Sequence, residues 1–307
     1  MIEFITILKD IIFPIFIVMA VGFILQKKFN MDIGTLSKLN IYFVVPGFIF
    51  VKLYSTEFSV GLFVYVLLFF VLLIVILYII AIIAAKILGL DKGKETTFSN
   101  SIIFFNSGNY GVPVNDLVFK SDPFAMSIQV IVLTLQNIFT FSYGIFALKS
   151  LDGGKWKAVL GYFKMPVLYA MLAGITLNGF NVPIPSFIWV PANYIADAMI
   201  ALALLTLGAQ VARIQFKAGL SSVYSSIAVR LIIAPIIALL IIWIFRIDGI
   251  FAQALFIASA MPTSINSAVI AQEYNNHPEF AAQTVLFSTI FSALTVTIVI
   301  FLSRVIF

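Results

Sequence analysis

The chain contains no cysteine and a single histidine, and only 10% of its 307 residues are charged. Without cysteine there are no disulfides, thiolate nucleophiles or cysteine-ligated metals. The lone imidazole, His277, stands beside Pro278 in a polar loop sequence. A zinc or iron site needs more imidazoles, or a carboxylate cluster that the apolar segments do not offer, so no metal or other cofactor is expected. No glycine-rich phosphate loop ending in Lys-Ser or Lys-Thr is present, so ATP does not drive the protein directly. The paired aspartates, Ser-His pair or zinc motif of an intramembrane protease are missing too, which argues against a membrane enzyme.

What the chain has in excess is apolar surface. Hydrophobic residues make up 62% of it, whereas a soluble domain carries about 25% charged residues. So much apolar surface cannot be reconciled with water, and the expected fold is an all-α polytopic membrane protein. Ten apolar segments can be placed at roughly 4–26, 35–55, 60–88, 96–119, 124–148, 158–179, 190–212, 220–245, 250–273 and 280–304. Lys9 and Asp10 lie early in the first segment, and Lys27-Lys28 follow it without a small-residue cleavage site. It therefore reads as a retained span and not a signal peptide.

Lysine and arginine set the expected orientation. Twelve of them fall in the loops after segments 1, 3, 5, 7 and 9, five fall on the opposite face, and Arg230 lies inside segment 8. The basic face is expected to be cytoplasmic, which leaves both termini outside. The net charge of +5 belongs to that bias and is no signal for nucleic acid.

The two halves resemble one another. Pro14 and Gly22 in segment 1 recur as Pro166 and Gly174 in segment 6, 152 positions later. Pro123 opens segment 5 and Pro278 opens segment 10, and Asp91 and Asp248 precede segments 4 and 9. Five spans per copy is an odd number, so residues 151–307 are expected to repeat residues 1–150 upside down. An inverted repeat places a transport site near the bilayer midplane.

Two interruptions mark where that site would be. Asn106-Ser107-Gly108-Asn109-Tyr110-Gly111-Val112-Pro113 lies inside segment 4, and Met261-Pro262-Thr263-Ser264-Ile265-Asn266 inside segment 9. Polar, helix-breaking residues at that depth are tolerated only where protein or a water-filled cavity covers them. Gly108 and Gly111 allow another backbone to approach. Pro113 and Pro262 are expected to free the carbonyls near Asn109 and at Ala258. If the breaks cross, half-helix N-termini favourable to anions meet Asn106, Asn109, Asn115 and Asn266. The bland alternative is a pair of proline kinks satisfied by neighbouring serines. Gln129 and Gln136 share one face of segment 5 and either turn to the crossing or bond between helices.

Asn-x-Gly-x-x-Gly-x-Pro, here Asn106, Gly108, Gly111 and Pro113, resembles the fourth-span signature of the auxin efflux carrier family. Pro262 to Asn266 resembles that family's ninth-span element. The resemblance covers the whole chain and implies membership of the bile acid, arsenite and riboflavin transporter superfamily. It implies a sodium/proton-antiporter-like elevator fold with broken helices 4 and 9 crossed. Residues 1–58 and 158–213 would form a scaffold that dimerises through spans 1, 2, 6 and 7. Residues 59–149 and 218–307 would form the moving domain. Substrates would be carboxylates such as malate, malonate or an auxin-like indole acid, carried across the plasma membrane. The short connection at 149–157, without the long cytosolic loop of many plant members, favours a prokaryotic relative.

Charges inside the membrane are costly and need partners. Arg230 is placed near mid-depth, and Asp197 lies within geometric reach in segment 7. Three roles are open for Arg230: a clamp on a substrate carboxylate, a partner for a coupling carboxylate, or a static pair with Asp197. A pair that breaks during the cycle fits a moving domain best. Asp116 follows the first break and is expected to line the outer vestibule; it or Asp197 is a candidate proton carrier. The competing functions are a sodium-coupled symporter on the same fold, with freed carbonyls holding sodium, and a passive channel or sensor.

Overall fold

The computed structural model describes residues 2–56, 60–144, 147, 165–215 and 221–307. The expected 149–157 connection, the lysines at 149, 155, 157, 164 and 217, and the domain boundaries near 58, 150, 158 and 218 lie outside them.

The described residues are helical almost throughout. In chain order they form α1 (Ile2–Phe29), α2 (Ile33–Ser55), α3 (Gly61–Ile87), α4 (Lys92–Ile103), α5 (Gly111–Phe119) and α6 (Pro123–Gly144). There follow α7 (Pro166–Gly179), α8 (Ser186–Arg213), α9 (Ser221–Ile244), α10 (Gly249–Ser259), α11 (Ile265–Glu273) and α12 (Pro278–Ile306). Seven of these, α1, α2, α3, α6, α8, α9 and α12, are long and apolar enough to cross a membrane. The expected segments 4 and 9 each appear as two short helices, α4 with α5 and α10 with α11.

The surface is as apolar as the sequence implies. Along α3, Leu68, Val71, Val75, Ile79 and Ile83 are each about half exposed. A stripe at three- and four-residue spacing on a helix that is apolar all round requires lipid and not water.

Helix starts are fixed by short acidic side chains. Asp32, Asp91 and Asp122 accept the N–H of Gly34, Lys94 and Ala125, each satisfying one of the amides that a first turn leaves unpaired. Helix interiors are shaped by proline. In α1, α2 and α9 a π-helical turn, Leu8–Ile12, Asn40–Val44 or Val229–Ile233, ends two residues before Pro14, Pro46 or Pro235. A proline ring clashes with the carbonyl four residues back. Widening the preceding turn to five-residue bonds, such as Ala234 N–H to the Val229 carbonyl, moves that carbonyl aside.

Two helix pairs pack backbone to backbone. A Cβ on Gly22 of α1 would collide with the Leu205 backbone of α8, and one on Gly208 of α8 with the Met19 backbone of α1. In the other pair, a Cβ on Gly174 of α7 would sit 3.0 Å from the Phe50 carbonyl oxygen of α2. Asn178 of α7 secures the same pair, donating to the carbonyls of Tyr54 (2.6 Å) and Thr56 (2.8 Å). Close approach through small residues is how helices associate where apolar burial gives no advantage over lipid.

Gly208→Val places three extra carbons against the Met19 backbone. We expect it to lower the thermal melting temperature of the purified protein, at a cost of about 1–3 kcal/mol or more. Gly179→Ala, where a Cβ meets nothing within 4 Å, serves as the control and should melt like the parent.

Candidate functional site

The site is built where two helices stop. Phe104 leaves the α4 helix in an extended conformation, φ −94° and ψ 103°. Phe105 pairs with Thr263 in an isolated antiparallel bridge. The Asn106 N–H donates to the Pro262 carbonyl and the Ser264 N–H to the Phe104 carbonyl, both at 2.8 Å. Thr263 is held at both ends of its residue: its Oγ1 donates to the Ser101 carbonyl at 2.8 Å, and its N–H to Ser288 Oγ of α12 at 3.2 Å. Each break therefore supplies the partners that the other lacks, as buried backbone requires.

Pro113 frees the carbonyl expected of it, and Pro262 does not. The Val112 and Val114 N–H groups donate to the Gly108 and Tyr110 carbonyls at 3.2 and 3.1 Å, while Pro113, between them, has no N–H to offer the Asn109 carbonyl. The Ala258 carbonyl accepts the Met261 N–H at 3.4 Å in the turn that closes α10. It is the Pro262 carbonyl, not the carbonyl four residues earlier, that serves the opposite break. The glycines answer to side chains and not to an approaching backbone. A Cβ on Gly111 would lie 2.5 Å from Gln129 Nε2, and one on Gly108 3.1 Å from Leu133 Cδ1. Gln129 Nε2 donates to the Ser107 carbonyl at 2.7 Å and so pins the loop between α4 and α5.

Behind the bridge lies Arg230, the largest fully buried side chain among the described residues. Its Nη1 donates to the Ile102 carbonyl at 3.0 Å, its Nη2 donates to the Ser259 carbonyl, and its guanidinium lies 5.0 Å from the Phe105 ring centre. No ion pair joins it to Asp197, which is exposed at the turn near Ala198 in α8. The Arg230–Asp197 pairing considered from the sequence is thus not formed. Backbone carbonyls accept from both Nη groups where no carboxylate comes within reach, and Nε is buried without a partner.

In front of the bridge is a cavity of about 90 Å³. A water molecule needs about 10–15 Å³ of such space, so several fit. Asn106, Gly108, Asn109, Asn266 and Gln136 line it, but Asp116, Asp197 and Arg230 do not. No lining residue carries a titratable side chain. Asn106 Oδ1 accepts the Asn109 N–H at 3.1 Å, which orients the amide and leaves Asn106 Nδ2 buried with no partner. Gln136 Nε2 donates to Thr140 Oγ1 at 2.9 Å, leaving its Oε1 unpaired. The N-terminus of α11 opens at this cavity through Ser264, Ile265 and Asn266, with Ser264 as its cap, whereas the first α5 amides, Gly111 and Val112, donate to the Asn106 and Gly108 carbonyls. Asn115, expected here, instead donates to the Ala125 carbonyl of α6.

The cavity joins a wider opening of about 450 Å³ through Ser37, Gln210, Ile265 and Val269, which line both. Arg213 stands at that mouth, on the face expected to be basic. At the far end of α2 a separate cavity of about 190 Å³ holds Asp116 with Lys52, and Asp116 accepts from Ser121 Oγ at 3.0 Å. Beside that cavity Ser127 Oγ of α6 donates to Thr56 Oγ1 at 2.8 Å.

The profile of a family described as "membrane transport protein" matches residues 7–158 and 155–300. The chain belongs to this family, that of the auxin efflux carriers. An uncharacterised transporter of Methanothermobacter thermautotrophicus is 24% identical over 290 residues, 92% of this chain and 94% of that protein. One from Methanocaldococcus jannaschii is 26% identical over 198 residues, 63% of each chain. Auxin efflux carrier component 1 of Arabidopsis thaliana is 26% identical over 154 residues, 48% of this chain and 24% of that protein.

One wall of this auxin efflux carrier family member's cavity went unnoticed in the sequence. Ser37 and Asn40 of α2 and Thr206 and Gln210 of α8 line it. Asn40 Nδ2 donates to Thr206 Oγ1 at 2.7 Å and Gln210 Nε2 to Ser37 Oγ at 3.0 Å. Asn40 Oδ1 and Gln210 Oε1 are left buried and unpaired. The signal was available: Asn40 begins the π turn before Pro46, and such turns recur at functional positions.

Gly111→Ala should displace the Gln129 amide and leave the Ser107 carbonyl unsatisfied. The expected loss is about 1–3 kcal/mol of stability, read as a lowered melting temperature. Gly111→Ala should add little to the cost of Gln129→Ala in the double variant, because the amide that the new methyl would displace is then absent.

Proposed function

We propose that the protein is a secondary active carrier of the elevator type that moves a small organic carboxylate across the plasma membrane. Malate, malonate and an auxin-like indole acid are the candidate substrates. The observation that carries this reading is the cavity at the paired breaks. Its lining carries no titratable side chain and brings Asn106, Asn109 and Asn266 together beside the N-terminus of the nine-residue α11. Carboxylates bind where amide donors and helix N-termini converge.

The proposed architecture is ten spans in two inverted five-span repeats. Spans 4 and 9 are the interrupted pairs, and both termini lie outside the cell. The glycine contacts support it. Gly22 meets Leu205 as Gly174 meets Phe50, so the contact of span 1 with span 7 returns as that of span 6 with span 2. These four helices are the proposed scaffold and homodimer surface, and the remaining spans form the moving domain. The cavity then lies between the two, with lining residues from each. Its wide mouth on the basic face corresponds to an inward-open state, with the Ser127–Thr56 contact closing the outer side. An unneutralised anion in a cavity lined by no titratable group carries net charge. The membrane potential alone then drives export, by about 2.3 kcal/mol per charge per 100 mV.

The test is uptake of labelled malonate, malate and indole-3-acetate into proteoliposomes. Saturable flux is expected from the parent. Asn106→Ala and Asn109→Ala should each reduce it tenfold or more, the equivalent of ~1.4 kcal/mol or above in binding. Flux unchanged in both variants moves the site away from the paired breaks, and no flux of any anion under any gradient removes the substrate class.

A further inference from the structure

Among the described residues Arg230 is the one charged side chain buried completely, and the substrate cavity does not use it. Its Nη1 and Nη2 donate to the Ile102 and Ser259 carbonyls. Ile102 is the penultimate residue of α4, and Ser259 is the last residue of α10. The two lie 157 positions apart, as do Asp91 and Asp248, which occupy the N-cap positions of the same two helices. One guanidinium therefore reads the corresponding carbonyl in both broken helices. The position 157 residues before Arg230 is Leu73, buried and apolar, so a single cation serves two helix ends.

The charges balance. Each helix C-terminus carries about half a negative elementary charge, and two of them meet here. A guanidinium supplies one positive charge and remains protonated at neutral pH. Converging carbonyls at half-helix C-termini are the arrangement that coordinates a coupling sodium ion in broken-helix transporters. We propose that Arg230 is a tethered substitute for that ion. It occupies the cation position of the crossing permanently, so the protein neither needs nor binds sodium there. The positive end of α11 is left to face the substrate cavity unopposed. This deepens the anion-carrier reading and specifies how that site is coupled.

Melting of the purified protein tests the idea without any substrate. The parent and Arg230→Lys should melt at the same temperature in sodium chloride, potassium chloride and choline chloride of equal ionic strength. Arg230→Gln should melt lower. Sodium, and not potassium or choline, should then raise its melting temperature by about 2–4 °C or more at saturation. Sodium-specific stabilisation of the parent overturns the proposal, and so does a folded Arg230→Gln that ignores sodium. If Arg230→Gln does not fold, the parent and Arg230→Lys decide: sodium insensitivity of both supports the substitution, and a sodium response in either sinks it. These outcomes stand apart from the carrier reading, which fails only if no anion flux is found.

Discussion

A helix that stops inside a bilayer leaves its last carbonyls and the next helix's first amides without water to bond. Each such group costs several kcal/mol if left alone. In this chain the two stops are set against each other. Asn106 and Ser264 donate across to Pro262 and Phe104, and the side chain of Thr263 returns to Ser101. Neither break is tolerable alone, so the sequences around 104–110 and 260–264 form one structural unit, although more than 150 residues separate them. The position of α4, α5, α10 and α11 follows from that pairing. So does the place of everything that touches them, including the α6 side chains Gln129 and Gln136.

Proline shapes the remaining spans in a different way. Pro14, Pro46 and Pro235 do not break their helices. They widen the turn ahead of them, and two of these turns present a polar group to the centre of the protein. Asn40 lines the cavity in front of the paired breaks, and Arg230 holds the carbonyls behind them. A side chain on a π turn leaves the regular 100° progression of the helix. It can therefore point inward from a helix whose other face is fitted to lipid.

The breaks were legible because asparagine, glycine and proline inside an apolar run contradict the run, and because the contradiction occurs twice at matching places. Their cause was read half correctly. Pro113 withholds the donor that the Asn109 carbonyl would otherwise meet, but the carbonyl that matters at Pro262 is its own. The partner of Arg230 was sought among carboxylates, since buried charges usually pair with charges. Backbone carbonyls at a helix end serve as well, and no side-chain pattern announces them. The α2 and α8 wall of the cavity was missed for a related reason. Single polar residues such as Asn40, Thr206 and Gln210 in apolar spans read as glue between helices. Asn40 and Thr206 are indeed bonded to each other. Only the folded arrangement, in which Asn40, Thr206 and Gln210 line the cavity, shows that the pairs border an open space.

The charge distribution bears on how an anion is held without being trapped. A fixed cation lining the cavity would bind a carboxylate tightly and hinder its release on the far side. Here the cation stands behind the bridge, on the carbonyl ends of α4 and α10, and the cavity itself is lined by amides, hydroxyls and apolar side chains such as Leu133, Phe141 and Val167. The positive contribution at the cavity is then that of the α11 N-terminus, about half a charge, beside the amides of Asn106, Asn109 and Asn266. Under the carrier reading proposed above, such a site suits moderate affinity, and a carrier that must both load and unload its substrate needs affinity of that kind.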